Sequence, residues 1–230
     1  MESFHRRLAR IAFDAGDELG LVLAGGYAVS AHHLTDRPSR DLDFATASLL
    51  DLPDVATRLS VVYEQAGYRV SQVESTSRMA RLAVTDGQQS CEVDLLKEAI
   101  GPPVQLEIGP VLTLDDAVGL KMRALHDRAA HRDFIDVHAA ATRGGYTYAD
   151  LERVAAVHTP HFASADLADR LEAVELRDDR TFYGYGLDDA QIAEVRRWAL
   201  GWATDIRARP HQPGSGEGRS GPDWDAYLEE

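Results

Sequence analysis

The sequence predicts an α/β (α+β) fold, a mixed sheet of about five short strands with flanking helices, followed by a helical C-terminal lobe. Three observations carry this reading. Short apolar or alternating runs, separated by stretches of helical periodicity, fill the first half in the order β-α-β-α-β-β-β. After Pro110 the pattern changes, and nearly everything as far as Arg207 repeats at spacings of three and four. The 230 residues, 44% hydrophobic and 27% charged, are enough for a globular core without disulfides or a structural metal. The expected organisation is an α/β domain over 1–110, a helical lobe over 111–207 and a flexible tail over 208–230, where Gly, Pro and Ser accumulate.

Each element has its own signal. Leu8, Ile11, Ala12, Ala15 and Leu19 predict an amphipathic helix over Phe4–Leu19. Leu21 to Ala24 reads as a buried strand that runs into a tight loop at Gly25-Gly26, with a helix over Tyr27–Leu34. The polar stretch Thr35–Arg40, with Pro38, ends that helix, and Asp41–Phe44 alternates as a strand. Pro53 in the first turn and Gly67 past the end bound a helix over Pro53–Ala66. Strands follow over Tyr68–Val73, Met79–Thr85 and Cys91–Leu96, with Asp86-Gly87 as a hairpin signal, and Val104–Ile108 reads as an edge strand. Thr113 caps the first helix of the second half, with acids in its first turn. Helices are expected over Asp116–Asp127, His131–Thr142, Tyr148–Val157, Ser164–Leu176 and Asp188–Arg207.

Composition excludes some functions. With 24 basic and 38 acidic residues the net charge is −14, which argues against broad coating of nucleic acid and leaves room for a local basic groove. A single cysteine, Cys91, precludes an intramolecular disulfide and points to a reducing, cytoplasmic setting, or at least to a fold that needs no oxidation. No apolar run approaches the ~20 residues of a membrane span, and Met1–Arg10 has no apolar signal-peptide stretch, so no membrane partner is expected.

The chemistry concentrates in three carboxylates. Residues two apart on a strand point to one face, so Asp41 and Asp43 project together while Leu42 and Phe44 turn away. Asp94, within alternating Glu92-Val93-Asp94-Leu95, falls beside them if the two strands are neighbours. Three like charges in one place call for a cation, and a hard divalent ion such as Mg²⁺ prefers oxygen ligands. Two such ions about 4 Å apart would clamp the attacking and leaving oxygens of a phosphoryl transfer. Gly25-Gly26, between a strand and a helix, offers free backbone N–H groups to an anion. A triphosphate bridging glycines and metal is the natural occupant.

These residues carry a family resemblance. Leu23-Ala24-Gly25-Gly26-Tyr27-Ala28 followed by Arg37-Pro38-Ser39-Arg40-Asp41-Leu42-Asp43-Phe44 resembles the nucleotidyltransferase superfamily typified by DNA polymerase β. The stretch Lys121 to Arg128, then Arg132-Asp133-Phe134-Ile135-Asp136-Val137, is similar to the motifs of AbiEii/AbiGii-type (MenT-like) toxins. The resemblance spans about Leu23 to Ala140, a little over half the chain. It implies a nucleotidyltransferase-type sheet in 1–110 as the catalytic domain, and transfer of a nucleoside monophosphate from a nucleoside triphosphate to an acceptor, commonly the 3′ end of tRNA. It also implies a cognate antitoxin. Under it Gly25, Gly26, Ser39, Arg40 and Lys121 bind nucleotide and Asp41, Asp43 and Asp94 bind Mg²⁺. Asp94 activates the acceptor hydroxyl, and Asp136 or Asp133 orients Lys121 or the acceptor. In related toxins the residue at the place of Ser39 is modified by an antitoxin kinase, and a phosphate there would add about −1.5 to −2 charge beside the metal site.

Other residues leave alternatives open. Lys121, Arg128 and Arg132 are seven and four apart, so a continuous helix would put them on one face, and with Arg123 they form either a phosphate and RNA groove or a solvated face. Arg37, Arg40, Arg78 and Arg81 flank the turn and the strands, where triphosphate contact and surface pairing are both available. The aromatics of Tyr183-Gly184-Tyr185-Gly186 either stack on a base or pack locally. Competing functions are an aminoglycoside-type transferase, which an acidic surface would suit, and a nucleotide-binding or antitoxin-docking module without turnover.

Overall fold

The computed structural model describes residues 1–210, so most of the expected tail, 211–230, lies outside the described residues. Seven strands form one mixed sheet: β1 (Leu21–Leu23), β2 (Asp41–Thr46), β3 (Arg69–Ser75), β4 (Met79–Thr85), β5 (Ser90–Lys97), β6 (Val104–Leu106) and β7 (Gly109–Val111). Their order is β3-β4-β5-β2-β1-β7-β6. The helices are α1 (Ser3–Asp14), α2 (Gly25–Ala31), α3 (Leu52–Gln65), α4 (Leu114–Arg128), α5 (His131–Thr142), α6 (Tyr148–His158), α7 (Ser164–Glu172), α8 (Asp179–Tyr183) and α9 (Asp189–Ala208). No helix among the described residues is long and apolar enough to cross a membrane.

The sheet is mixed, as expected, but larger than five strands. The segment Val104–Ile108, expected as one edge strand, is instead half of a hairpin that turns at Glu107-Ile108. Its return strand β7 lies parallel to β1, with Leu23 opposite Val111 and the Leu112 N–H donating to the Leu23 carbonyl at 3.0 Å. Three-residue strands are too short to show a period in sequence. The first helix also ends early, at Asp14, and a single 3₁₀ turn over Asp17–Leu19 delivers Leu19 to the core.

Strand alternation sorts the centre of the sheet into two faces. Leu42, Phe44, Leu82, Val84, Val93 and Leu95 are fully buried, and Phe13 of α1 meets Phe44 edge-on with ring centroids 5.6 Å apart. Helix α3 closes the same core, and its Tyr63 hydroxyl donates to the Leu8 carbonyl at 3.2 Å. The opposite face of β2, β4 and β5 carries Asp41, Asp43, Arg81 and Asp94.

A second apolar cluster joins α4 to α9, with Met122, Leu125, Phe134, Leu151, Leu171, Phe182 and Trp202 at its centre. Trp202 stacks on Tyr148 at 4.9 Å and donates its indole N–H to Glu152 at 3.1 Å.

The break expected between Asp127 and His131 is present: Ala129 adopts a left-handed conformation (φ 46°) and separates α4 from α5, so Lys121, Arg128 and Arg132 do not lie along one continuous helix. The break is held by Asp133, whose buried carboxylate accepts from the Ala130 N–H at 3.0 Å and from Arg128 Nε and Nη2 at 2.9 and 3.0 Å. An alanine would remove both the cap and the charged pair. We expect Asp133→Ala to cost about 2–4 kcal/mol, and Asp133→Asn, which keeps an oxygen for the cap, to cost less. Thermal melts of the two variants check this.

Candidate active site

Asp41 and Asp43 stand on the central strand β2, and Asp94 lies opposite Asp43 in the parallel ladder to β5. Each offers one carboxylate oxygen, and the three oxygens lie within 4.8 Å of one another. The first inference from alternation is thus met in three dimensions: one face of two neighbouring strands gathers all three acids.

Their surroundings differ. Asp94 is nearly buried and gripped by Arg81, its register partner on β4, with Nε on Oδ1 and Nη2 on Oδ2 both at 2.7 Å. Asp41 accepts from the Ser39 hydroxyl at 3.2 Å and from Arg132 Nη1 at 3.3 Å. The Asp43 carboxylate has no hydrogen bond or ion pair among the described residues. Burial, together with the charges of Asp41 and Asp94, pushes the Asp43 carboxyl up to about 6, against the pull of Lys121 and Arg132.

Gly25 and Gly26 do not form a separate loop. They are the first residues of α2, directly after β1. Gly25 has φ +59°, and a Cβ there would lie 1.8 Å from Asp43 Oδ2. At Gly26 a Cβ would lie 2.6 Å from Ser39 Oγ. Glycine is therefore what lets this backbone press against the acids. Ser39 itself is buried, not a surface turn residue, and its carbonyl accepts from the Tyr27 hydroxyl at 3.2 Å.

The helical half contributes from two helices. Lys121 of α4 places Nζ 2.9 Å from Asp136 Oδ2 on α5. Asp136 has no exposed side-chain surface and also takes Arg37 Nε and Nη2 at 2.6 Å each. Burial alone would raise its carboxyl, but Lys121 and Arg37 hold it below the ordinary value. The Arg37 guanidinium also lies 5.6 Å from the centroid of the Tyr185 ring.

The structure thus brings together Gly25, Gly26, Ser39, Asp41, Asp43, Asp94, Lys121 and Asp136. Arg40 is exposed beside Asp41, with no side-chain partner among the described residues. Asp133 caps α5 and does not touch Lys121. Arg123 is occupied by Glu98, and Arg78 is exposed at the turn before β4. What sequence reasoning missed is how deeply Arg37 is engaged. It sits in a polar, proline-bearing stretch that looks like surface, yet its side chain is only 5% exposed.

The family model for the nucleotidyl transferase AbiEii toxin of type IV toxin–antitoxin systems matches residues 6–230. Two solved structures from Helicobacter pylori share the fold. One is JHP933, with a TM-score of 0.50, 21% identity, and coverage of 88% of this chain and 90% of that one. The other, named only provisionally as a nucleotidyltransferase, has a TM-score of 0.53, 17% identity, and coverage of 92% and 100%. No curated protein matches the chain.

Proposed function

The chain belongs to the AbiEii nucleotidyl transferase toxin family and is a nucleotidyltransferase, and we propose that it moves a nucleoside monophosphate from a nucleoside triphosphate to the 3′ end of tRNA, with Mg²⁺, as the toxin partner of an antitoxin. The observation that carries this reading is the convergence of Asp41, Asp43 and Asp94 within 4.8 Å beside the Gly25-Gly26 turn. Three carboxylates so close, one of them without a direct ion pair, fit a divalent cation, and an all-oxygen donor set fits Mg²⁺. Those three residues would hold one ion or two. Bound there, Mg²⁺ would offset the triphosphate's charge during nucleotidyl transfer.

The chain's own residues do the positioning. Backbone N–H groups of Gly25 and Gly26 and the Lys121 ammonium receive the triphosphate. Asp136 orients Lys121, Ser39 holds Asp41, and Arg40 faces the nucleotide from the rim. The acceptor oxygen forms a bond to the α-phosphorus, the α–β bridging bond breaks, pyrophosphate leaves, and the hydroxyl proton passes to Asp94. This assigns catalysis to 1–110, with 111–207 supplying the ammonium and its carboxylate.

A transfer assay tests the reading. Purified protein, Mg²⁺ and each of four α-labelled nucleoside triphosphates are mixed with total tRNA and, separately, with aminoglycosides. We expect label on tRNA that requires Mg²⁺ and disappears in the Asp41→Ala/Asp43→Ala variant. Label on the drug alone would overturn the acceptor, and tRNA labelling that survives the double variant would overturn the site.

A further inference from the structure

We propose that Arg37 is a positioning residue that sets the direction of the Lys121 ammonium through Asp136 and leaves their cluster with a net positive charge; this rests on the reading of Lys121 as the triphosphate's cation. Arg37 lies on the loop between α2 and β2, far in sequence from α4 and α5. Its fork occupies both oxygens of Asp136, Nε on Oδ1 and Nη2 on Oδ2, at 2.6 Å each. A two-point grip of this kind fixes the plane of a carboxylate, as a lysine could not. Lys121 then meets an oxygen already engaged, Oδ2, at 2.9 Å.

Charge balance makes the consequence definite. Lys121 and Arg37 against Asp136 sum to one net positive charge in a buried setting. Without Arg37 the remaining pair is neutral, and an incoming triphosphate meets no net cation there. Arg37 also braces the neighbouring acids. Its Nη1 donates to the Pro38 carbonyl at 3.2 Å, and the next residue, Ser39, donates to Asp41. One buried guanidinium thus ties the ammonium on the helical side to the carboxylate strand.

The composition supplies a direct probe. The chain has only two lysines, Lys97 and Lys121, so protein labelled with ¹³Cε-lysine gives two side-chain signals, and Lys97→Arg assigns them. Arg37→Met and Arg37→Lys are compared with the wild-type chain for melting temperature, for affinity toward an α,β-methylene nucleoside triphosphate with Mg²⁺, and for the Lys121 signal. We expect Arg37→Met to weaken nucleotide binding by ~10-fold or more and to move the Lys121 signal while that of Lys97 stays. Arg37→Lys, which restores charge without the fork, recovers about half of that loss on a logarithmic scale. If Arg37 merely braces the fold, both variants melt lower while the folded protein keeps its nucleotide affinity and its Lys121 signal, and the proposal falls. A wild-type Lys121 signal that ignores nucleotide would remove the phosphate role of Lys121, and this inference with it. A wild-type response retained by both variants removes the inference alone.

Discussion

We expect Asp43→Asn to remove nearly all transfer and, in the same protein, to raise the melting temperature of the metal-free form. Asp43 is the acid without a direct ion pair or hydrogen bond, pressed against Asp41 and Asp94 and partly buried. Its carboxyl lies at about 6 in the folded chain against 3.8 ordinarily. The folded state therefore holds this proton more tightly than the unfolded one, so the metal-free protein loses stability as pH rises through the window between those two values. The penalty, fully present above pH 7, is on the order of 1–3 kcal/mol. An amide removes it, and the metal-free variant should melt several degrees higher at pH 7.5, with little difference at pH 4. Transfer should fall by on the order of 10³-fold or more, if the three acids hold the cation as proposed. Melts of both proteins across pH, with and without Mg²⁺, check the pattern. Mg²⁺ should stabilise the wild-type chain at pH 7.5 and barely affect the variant. An Asp43→Asn protein that melts lower at pH 7.5 would contradict this repulsion.

Gly25→Ala should be nearly as damaging to activity, by a different route. The methyl would sit 1.8 Å from Asp43 Oδ2, and the backbone at φ +59° disfavours any side chain. The left-handed backbone alone costs about 1–2 kcal/mol. The clash adds to this, and its relief must move either the first turn of α2 or the Asp43 carboxylate. We expect transfer to drop by ~100-fold or more, a lower melting temperature, and a reduced Mg²⁺ stabilisation. Gly67→Ala is the comparison: it also lies at positive φ (92°), but nothing lies within 4 Å of its Cβ, so it should cost stability and leave transfer intact.

What the chain disclosed in one dimension was what depends on short-range period. Asp41 and Asp43 share a face because strands alternate, and the same rule placed Asp94 once β2 and β5 proved to be neighbours. Thr113 announced α4, and its hydroxyl does accept from the Asp116 N–H at 3.1 Å. The partners of the acids were harder to see. Arg81, Arg132 and Arg37 meet Asp94, Asp41 and Asp136 across 13, 91 and 99 residues of chain, and the last two separations carry no periodicity. The break between α4 and α5 was legible between Asp127 and His131, but its left-handed form was not, because alanine occupies a position where glycine or asparagine is usual. The hairpin of β6 and β7 was too short to be distinguished from one edge strand.

The place of β2 in the sheet has a consequence for how the protein loses function on heating. Its peptide groups are paired on one side with β1 and on the other with β5, and each of those strands has a further neighbour beyond it. Local fraying cannot reach such a strand, so its amides should exchange with deuterated solvent only when the entire sheet opens. Asp41 and Asp43 are thus mounted on the strand expected to exchange most slowly. Inactivation that begins well below the main transition would then have to start elsewhere, among the helices that carry Lys121 and Asp136.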